Sequence, residues 1–327
     1  PAAYQKWDIH TLWIDRLPGI HRHHQAYLPL YPLAWDGLHL DACEIVLSNK
    51  SGFCHRLHVG ERTLHICYCL APTRYVWQFE SYIAREGLGT AVRTALQPLI
   101  ALLKRWDYAA AQRVDHFIAI SSDIEARIKT YYGRDSTIIY PPVDTERFAP
   151  SAVVEDYFLI VSRLIPYKRI DLAVQAATRL GLPLKIGGTG RDLDRLRALA
   201  GPTVEFLGYV PDDQLPDLMA RCRAFLFPGL EDFGITPVQA QAAGRPVIAY
   251  GGGGALDTVI PGSTGEWFDS LSVESLMGVM GRFDADAYDV RAIRANAERF
   301  DRQVFHRQLA DYLARAQAAF KGGQRRR

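Results

Sequence analysis

The sequence predicts an α/β protein of two domains, each a parallel sheet wrapped by helices, the second Rossmann-like and doubly wound. Three observations carry this. Short β-branched and aromatic runs alternate with stretches of helical periodicity along most of the chain, which is the pattern of a parallel sheet wrapped by helices. The alternation breaks once, at the proline-flanked segment Pro141 to Pro150, which reads as a stiff interdomain linker. In the second half, glycines or helix starts follow the strand ends, where doubly wound sheets bind ligands. At 327 residues the chain is long enough for two such domains. The expected boundaries are 1–148, 149–298 and a C-terminal helix over 299–327.

Composition narrows the function classes. With 38 basic and 36 acidic residues the formal charge is only +2, so nothing favours a nucleic-acid partner. Arg325-Arg326-Arg327 reads as a frayed basic end. Five cysteines, an odd number spread thinly, point to reduced thiols in a cytosolic protein. Cys67 and Cys69 lack a second close pair to complete a metal site, and His21, His23 and His24 beside Arg22 read as a solvated loop. No metal is expected. No stretch is long and apolar enough to span a bilayer, and no signal peptide is read at the start.

Taken in order, Pro1 to Trp35 shows no clean period. Glu44 to Ser48 and Thr63 to Cys69 read as buried strands, with a loop or short helix at Ser51 to His55. Trp77, Phe79 and Tyr82 either offer a sugar or lipid platform or pack on the first sheet. Leu96 to Val114 has helical spacing, His116 to Ile120 reads as a strand, and Ser122-x-x-Glu125 as the capping box of the next helix. In the second domain strands are expected at Tyr157 to Ser162, Leu184 to Gly187, Val204 to Leu207, Ala224 to Phe227 and Val247 to Tyr250. Helices are expected at Arg169 to Leu180, Asp192 to Ala200 and Asp213 to Arg221. A further helix begins at Thr236, suited to the N-cap, with Pro237 as first helical residue. Arg291 to Phe320 is mostly helical and amphipathic, and is expected to dock across the interface or onto the first domain.

Four groups fall at the carboxyl ends of the second domain's strands. They are Arg163 with Lys168, the loop Gly187-Gly188-Thr189-Gly190, the turn Gly208-Tyr209-Val210, and the loop from Glu231 to Gln239. Each alone has an ordinary reading as surface cation or turn. Together, two cations, a glycine loop and a helix N-terminus in one crevice suggest a diphosphate. No G-x-x-x-x-G-K-[ST] run is present, which argues against a P-loop ATPase. Gly251 to Gly254 permits close backbone approach or forms a flexible loop.

The runs YFLIVSRLIPYKRIDLAV, IGGTG, VEFLGYV and FPGLEDFGITPVQAQAAGRPVIAYGGGGALDTV closely resemble family-4 retaining glycosyltransferases of the GT-B fold. LHICYCLAPTRYVW and DHFIAISSDIEARI extend the likeness to bacterial mannosyltransferases of polysaccharide assembly. The resemblance implies two Rossmann-like domains facing a central cleft, the first binding the acceptor and the second a nucleotide sugar. It implies a cytoplasmic hexosyltransferase, with possible peripheral contact at the inner membrane face. The donor would be a nucleotide sugar, GDP-mannose by resemblance, and the acceptor a saccharide or a lipid-linked group. No cofactor or metal would be needed. Catalytic roles fall to Arg163 and Lys168, on the donor diphosphate, and to Glu231, on the donor sugar. Donor contacts fall to Gly188, Thr189 and Gly190, to Tyr209 and Val210 at the base, and to Phe233, Gly234, Ile235 and Thr236. Three departures stand out. Gln239 replaces the second acid of the family's E-x7-E pattern, so it either meets the ribose or completes a capping box with Thr236. Leu70 stands where many members have His. The first βα unit of such proteins is missing before Pro1, so the first domain is expected to be truncated. These departures motivate an alternative reading as a nucleotide-sugar-binding, non-catalytic subunit.

Overall fold

A computed structural model describes residues 7–79 and 90–324. Tyr82 and the Arg325 to Arg327 tail lie outside the described residues. The chain divides into two compact units. The second comprises Ile120–Ile124 and Ile138–Ala316, and the first holds the rest, including the last turns of the C-terminal helix.

The first unit is a four-stranded sheet of β1 (Ile45–Lys50), β2 (Leu64–Cys69), β3 (His116–Ala119) and β4 (Ser136–Ile138), in that order. β1 and β3 both pair with β2 in parallel. All six residues of β2 are buried, which explains its unbroken apolar run. The expected helix at Leu96 to Val114 spans Thr90–Arg113, and the next spans Ser122–Tyr132. Its cap differs from expectation. Ser121, not Ser122, accepts from the Ile124 N–H (3.2 Å), because the Ser122 amide and hydroxyl are both drawn to Asp257 Oδ2 at 2.9 Å.

Where a platform was one expectation, the structure shows packing. Phe79 is buried, and Trp77 stacks on Tyr131 with ring centroids 4.9 Å apart. Trp77 Nε1 donates to Asp107 Oδ2 at 2.6 Å, and Tyr132 Oη donates to the same oxygen at 2.6 Å. Thr73 donates to Asp107 Oδ1 (2.8 Å), and Lys50 Nζ donates to Thr73 and to the Gly52 carbonyl. Lys50, His55, Thr73 and Asp107 are all fully buried. This polar knot ties β1, the 3₁₀ turn Cys54–Arg56 and the long helix together.

Burial, reinforced by the Lys50 charge, pushes the His55 imidazole down to about 3. Burial also pushes His65, bonded to Ser48 Oγ at 2.9 Å, down to about 4. Both folded values lie below the unfolded value near 6.5, so the neutral rings favour the native state. Their contribution is complete above pH ~6.5 and is lost as pH falls toward 4 and then 3, by up to ~1.4 kcal/mol per pH unit per histidine. The urea midpoint of the first unit should therefore be level from pH 8 to 6.5 and drop steadily to pH 4. Tryptophan emission can follow it, because Trp267 is the single tryptophan of the second unit. A level midpoint down to pH 4 would contradict the buried neutral state of both rings.

The second unit holds six strands: β5 (Phe158–Val161), β6 (Leu184–Gly187), β7 (Val204–Gly208), β8 (Ala224–Phe227), β9 (Val247–Tyr250) and β10 (Gly265–Phe268). They lie in the order β7-β6-β5-β8-β9-β10, and every pair is parallel. Counted within the unit this is 3-2-1-4-5-6, the Rossmann order, with its switch point between β5 and β8. One face packs Phe158, Ile160, Leu184, Ile186, Leu226 and Ile248 against the helices Ile170–Leu180 and Val273–Met280. Each buried aliphatic or aromatic side chain contributes about 1.5–3 kcal/mol.

The Pro141 to Pro150 segment is fastened to this unit. Val143 N donates to Phe300 O (2.9 Å), Arg302 N donates to Val143 O (3.0 Å), and Thr145 Oγ1 donates to Asp301 Oδ2 (2.5 Å). Asp301 also interrupts the C-terminal helical region, which forms two helices, Val290–Glu298 and Arg302–Gln324. Within the first unit, Gln317 and Lys321 from the end of the second of these bond Glu44.

Candidate functional site

The switch point gathers two loops, one after β5 and one after β8. Beyond Val161 the chain keeps pairing with its neighbour: Ser162 N donates to Gly187 O (3.0 Å) and Leu164 N to Thr189 O (2.9 Å). This explains two glycines. A Cβ on Gly188, whose φ is +131°, would lie 1.8 Å from Ser162 O, and one on Gly190 would lie 2.2 Å from Leu164 O. The glycine loop therefore admits the Ser162–Leu164 backbone. Lys168 follows in the 3₁₀ turn Pro166–Lys168.

After β8, a Cβ on Gly229 would lie 2.8 Å from the Lys168 carbonyl oxygen, so the two loops run in backbone contact. The Lys168 ammonium and the Glu231 carboxylate form an ion pair. The Glu231 carbonyl accepts from Gly254 N at 2.8 Å. A Cβ on Gly253 (φ +60°) would stand 2.2 Å from that same carbonyl oxygen. Of the two readings of the Gly251 to Gly254 run, close backbone approach is the one observed.

The start of the next helix departs from expectation. The helix is Ile235–Ala242 and its N-cap is Gly234, with φ +94°, rather than Thr236. The chain needs a left-handed residue to enter the helix, and a Cβ there would strike the Phe227 ring at 2.7 Å, so only glycine fits. Pro237 moves from first to third helical position, still within the turn whose N–H groups lack helical partners. Gln239 thus falls out of capping-box register with Thr236; it is half-buried in the second turn. The N-cap glycine itself supplies no side-chain cap. Phe233 is buried beside Tyr140 and Phe300, with centroids at 6.0 and 5.6 Å, so its backbone alone faces the loop.

Lys168, Glu231 and Thr236 line one small crevice with Ser162 and Gly229. Arg163 does not line it; its exposed guanidinium donates to the Tyr167 hydroxyl at 3.5 Å. Tyr209 and Val210 lie on a separate, wider groove with Tyr157, Lys185 and Arg221. That groove adjoins the glycine loop, since Gly188 N donates to Gly208 O at 2.6 Å and Val210 covers Gly187. Tyr209 is 74% exposed. A cation, a carboxylate and a helix N-terminus in one crevice can hold a phosphate beside a hydroxyl-bearing group.

Sequence reasoning missed Asp257, which accepts from Ser122 and, at 3.2 Å, from the Tyr140 hydroxyl. Its partners lie more than a hundred residues away in sequence, so no local spacing signals it. Among the described residues no three His, Cys, Asp or Glu side chains cluster as metal ligands, and no helix is long and apolar enough to cross a membrane.

Residues 144–299 match the family model for Glycosyl transferases group 1, and residues 55–147 match Glycosyltransferase Family 4. A sucrose-phosphate synthase from Thermosynechococcus elongatus superposes with a TM-score of 0.67 at 20% identity, over 84% of this chain and 74% of that one. The fold is GT-B. Anabaena Alr3699/HepE in complex with UDP-glucose shares this GT-B fold with a TM-score of 0.62 at 20% identity, over 83% of this chain and 78% of that one. In sequence, the GDP-mannose-dependent alpha-(1-6)-phosphatidylinositol monomannoside mannosyltransferase of Mycolicibacterium smegmatis is 30% identical over 199 residues, 51% of this chain and 52% of the relative. The chain spans about half the length of the curated relatives it matches. Both matched stretches of this GT-B chain are thus similar to glycosyltransferase family domains.

Proposed function

We propose that the chain is a retaining, metal-independent glycosyltransferase that moves a hexose from a nucleotide sugar to a saccharide or lipid-linked acceptor. The observation that carries this reading is the Lys168–Glu231 pair at the glycine-started Ile235–Ala242 helix end, at the switch point of a Rossmann-ordered sheet. The donor diphosphate takes the helix end, Lys168 and Arg163, and Glu231 meets the sugar hydroxyls. Gly188 to Gly190 and the backbone of Phe233 to Thr236 border the phosphates, Tyr209 and Val210 the base, and Gln239 the ribose. An acceptor hydroxyl attacks the anomeric carbon from the face the nucleotide leaves. The carbon–oxygen bond to the β-phosphate breaks, its electron pair stays on that phosphate, and the hydroxyl proton passes to the same phosphate. Fixed positive charge at the leaving group lowers this barrier without a metal ion. Mannose from GDP-mannose is the favoured donor, after the mycobacterial relative. The place of action is the cytoplasm, at the inner membrane face where the acceptor is lipid-linked.

Calorimetry of the full chain with GDP-mannose and with UDP-glucose tests this. Binding of one of them, with release of its nucleoside diphosphate when acceptor is added, is expected. Binding without turnover would favour the non-catalytic reading, which Gln239 in place of a carboxylate motivates. Failure to bind either would overturn both.

A further inference from the structure

Arg169, next to Lys168, is the single non-glycine among the described residues with a left-handed backbone (φ 51°, ψ 33°). An L side chain in that region is strained and persists where the surroundings over-determine it, a situation that concentrates at functional sites. Here the surroundings are visible. Arg169 Nε and Nη2 donate to the two oxygens of Asp171 at 3.1 and 3.3 Å, and Nη1 donates to Leu271 O at 3.4 Å. The Arg169 amide donates to Pro166 O (3.2 Å) and its carbonyl accepts from Leu172 N (3.1 Å). On the other side, Gly229 abuts the Lys168 carbonyl and Cα.

We propose that Arg169 and Asp171 are positioning residues: their planar fork holds the left-handed turn that aims Lys168 at Glu231 and at a donor's diphosphate. Glycine would adopt the same turn without strain, so the side chain is retained for the fork rather than for the backbone angle. A guanidinium, unlike an ammonium, can bridge both carboxylate oxygens in one plane. This inference rests on the reading of Lys168 as a phosphate ligand.

The test compares Arg169→Ala, Arg169→Gly, Asp171→Asn and Lys168→Ala in the full chain, measuring GDP and UDP affinity and the transfer constants. Loss of the fork is expected to lower kcat about tenfold or more with little change in KM, as small misplacements of a catalytic group do. Arg169→Gly should recover part of the loss seen in Arg169→Ala, since it relieves the strain. The decisive readout is the double variant: in a Lys168→Ala background, Asp171→Asn should add nothing. An equal effect in both backgrounds, or unchanged kcat in the fork variants while Lys168→Ala is impaired, would overturn the positioning role. Unchanged binding and transfer in Lys168→Ala itself would instead remove the reading on which the inference rests.

Discussion

Replacing Lys168 by alanine is expected to slow transfer on the order of 10²–10³-fold, about 3–4 kcal/mol of barrier, as loss of one preorganised charge at a developing anion does. Negative charge grows on the β-phosphate as the glycosidic bond breaks. Lys168 is the cation that lines the switch-point crevice together with the helix end. Its ammonium is paired with Glu231, so a diphosphate binding there must compete for it. That makes two variants informative together. Lys168→Ala removes the charge and should depress kcat at saturating donor. Glu231→Gln frees the ammonium and should leave diphosphate affinity at least as strong while losing the carboxylate's hold on the sugar. Single-turnover rates and GDP affinity separate these outcomes. A loss below tenfold in Lys168→Ala would shift the leaving-group role to Arg163, whose side chain lies outside the crevice.

Much of this was legible in the sequence, for a physical reason. In a parallel sheet covered on both faces each strand is a short unbroken apolar run, so Leu184–Gly187 and Ala224–Phe227 match their expected bounds. Strand ends then locate Lys168 and Glu231 without knowledge of side-chain direction. What was not legible depended on atoms distant in sequence. Thr236 has the chemistry of an N-cap, but the Phe227 ring and the turn out of the loop require glycine two residues earlier. Ser122 has the right spacing for a capping box, but Asp257 takes its hydroxyl. Glycines 188 and 190 signal a close approach, but not which backbone makes it. The partner that approaches is the chain's own Ser162–Leu164 backbone.

The second large effect belongs to a residue with no local signature. Asp107→Ala is expected to destabilise the first unit by about 3–5 kcal/mol, because it strands a buried cation rather than merely deleting a bond. Burial works against ionisation of Asp107, yet Lys50, His55 and the bonds from Tyr132 and Trp77 outweigh it, and its carboxyl titrates below the ordinary value. Without it, Lys50 keeps only neutral acceptors, the Thr73 hydroxyl and the Gly52 carbonyl, and the Trp77 and Tyr132 donors lose theirs. A loss of that size is a large share of the 5–15 kcal/mol that usually holds a domain together. Denaturant unfolding followed by tryptophan emission would measure it. The double variant Lys50→Met with Asp107→Leu distinguishes mechanisms: removing both charges should cost much less than Asp107→Ala alone, since no unpaired ion remains. If the double variant is as unstable as the single one, the knot is held by the hydrogen bonds of Trp77 and Tyr132 rather than by charge. If Asp107→Ala costs under about 1 kcal/mol, water reaches the site and the cluster is not buried in solution.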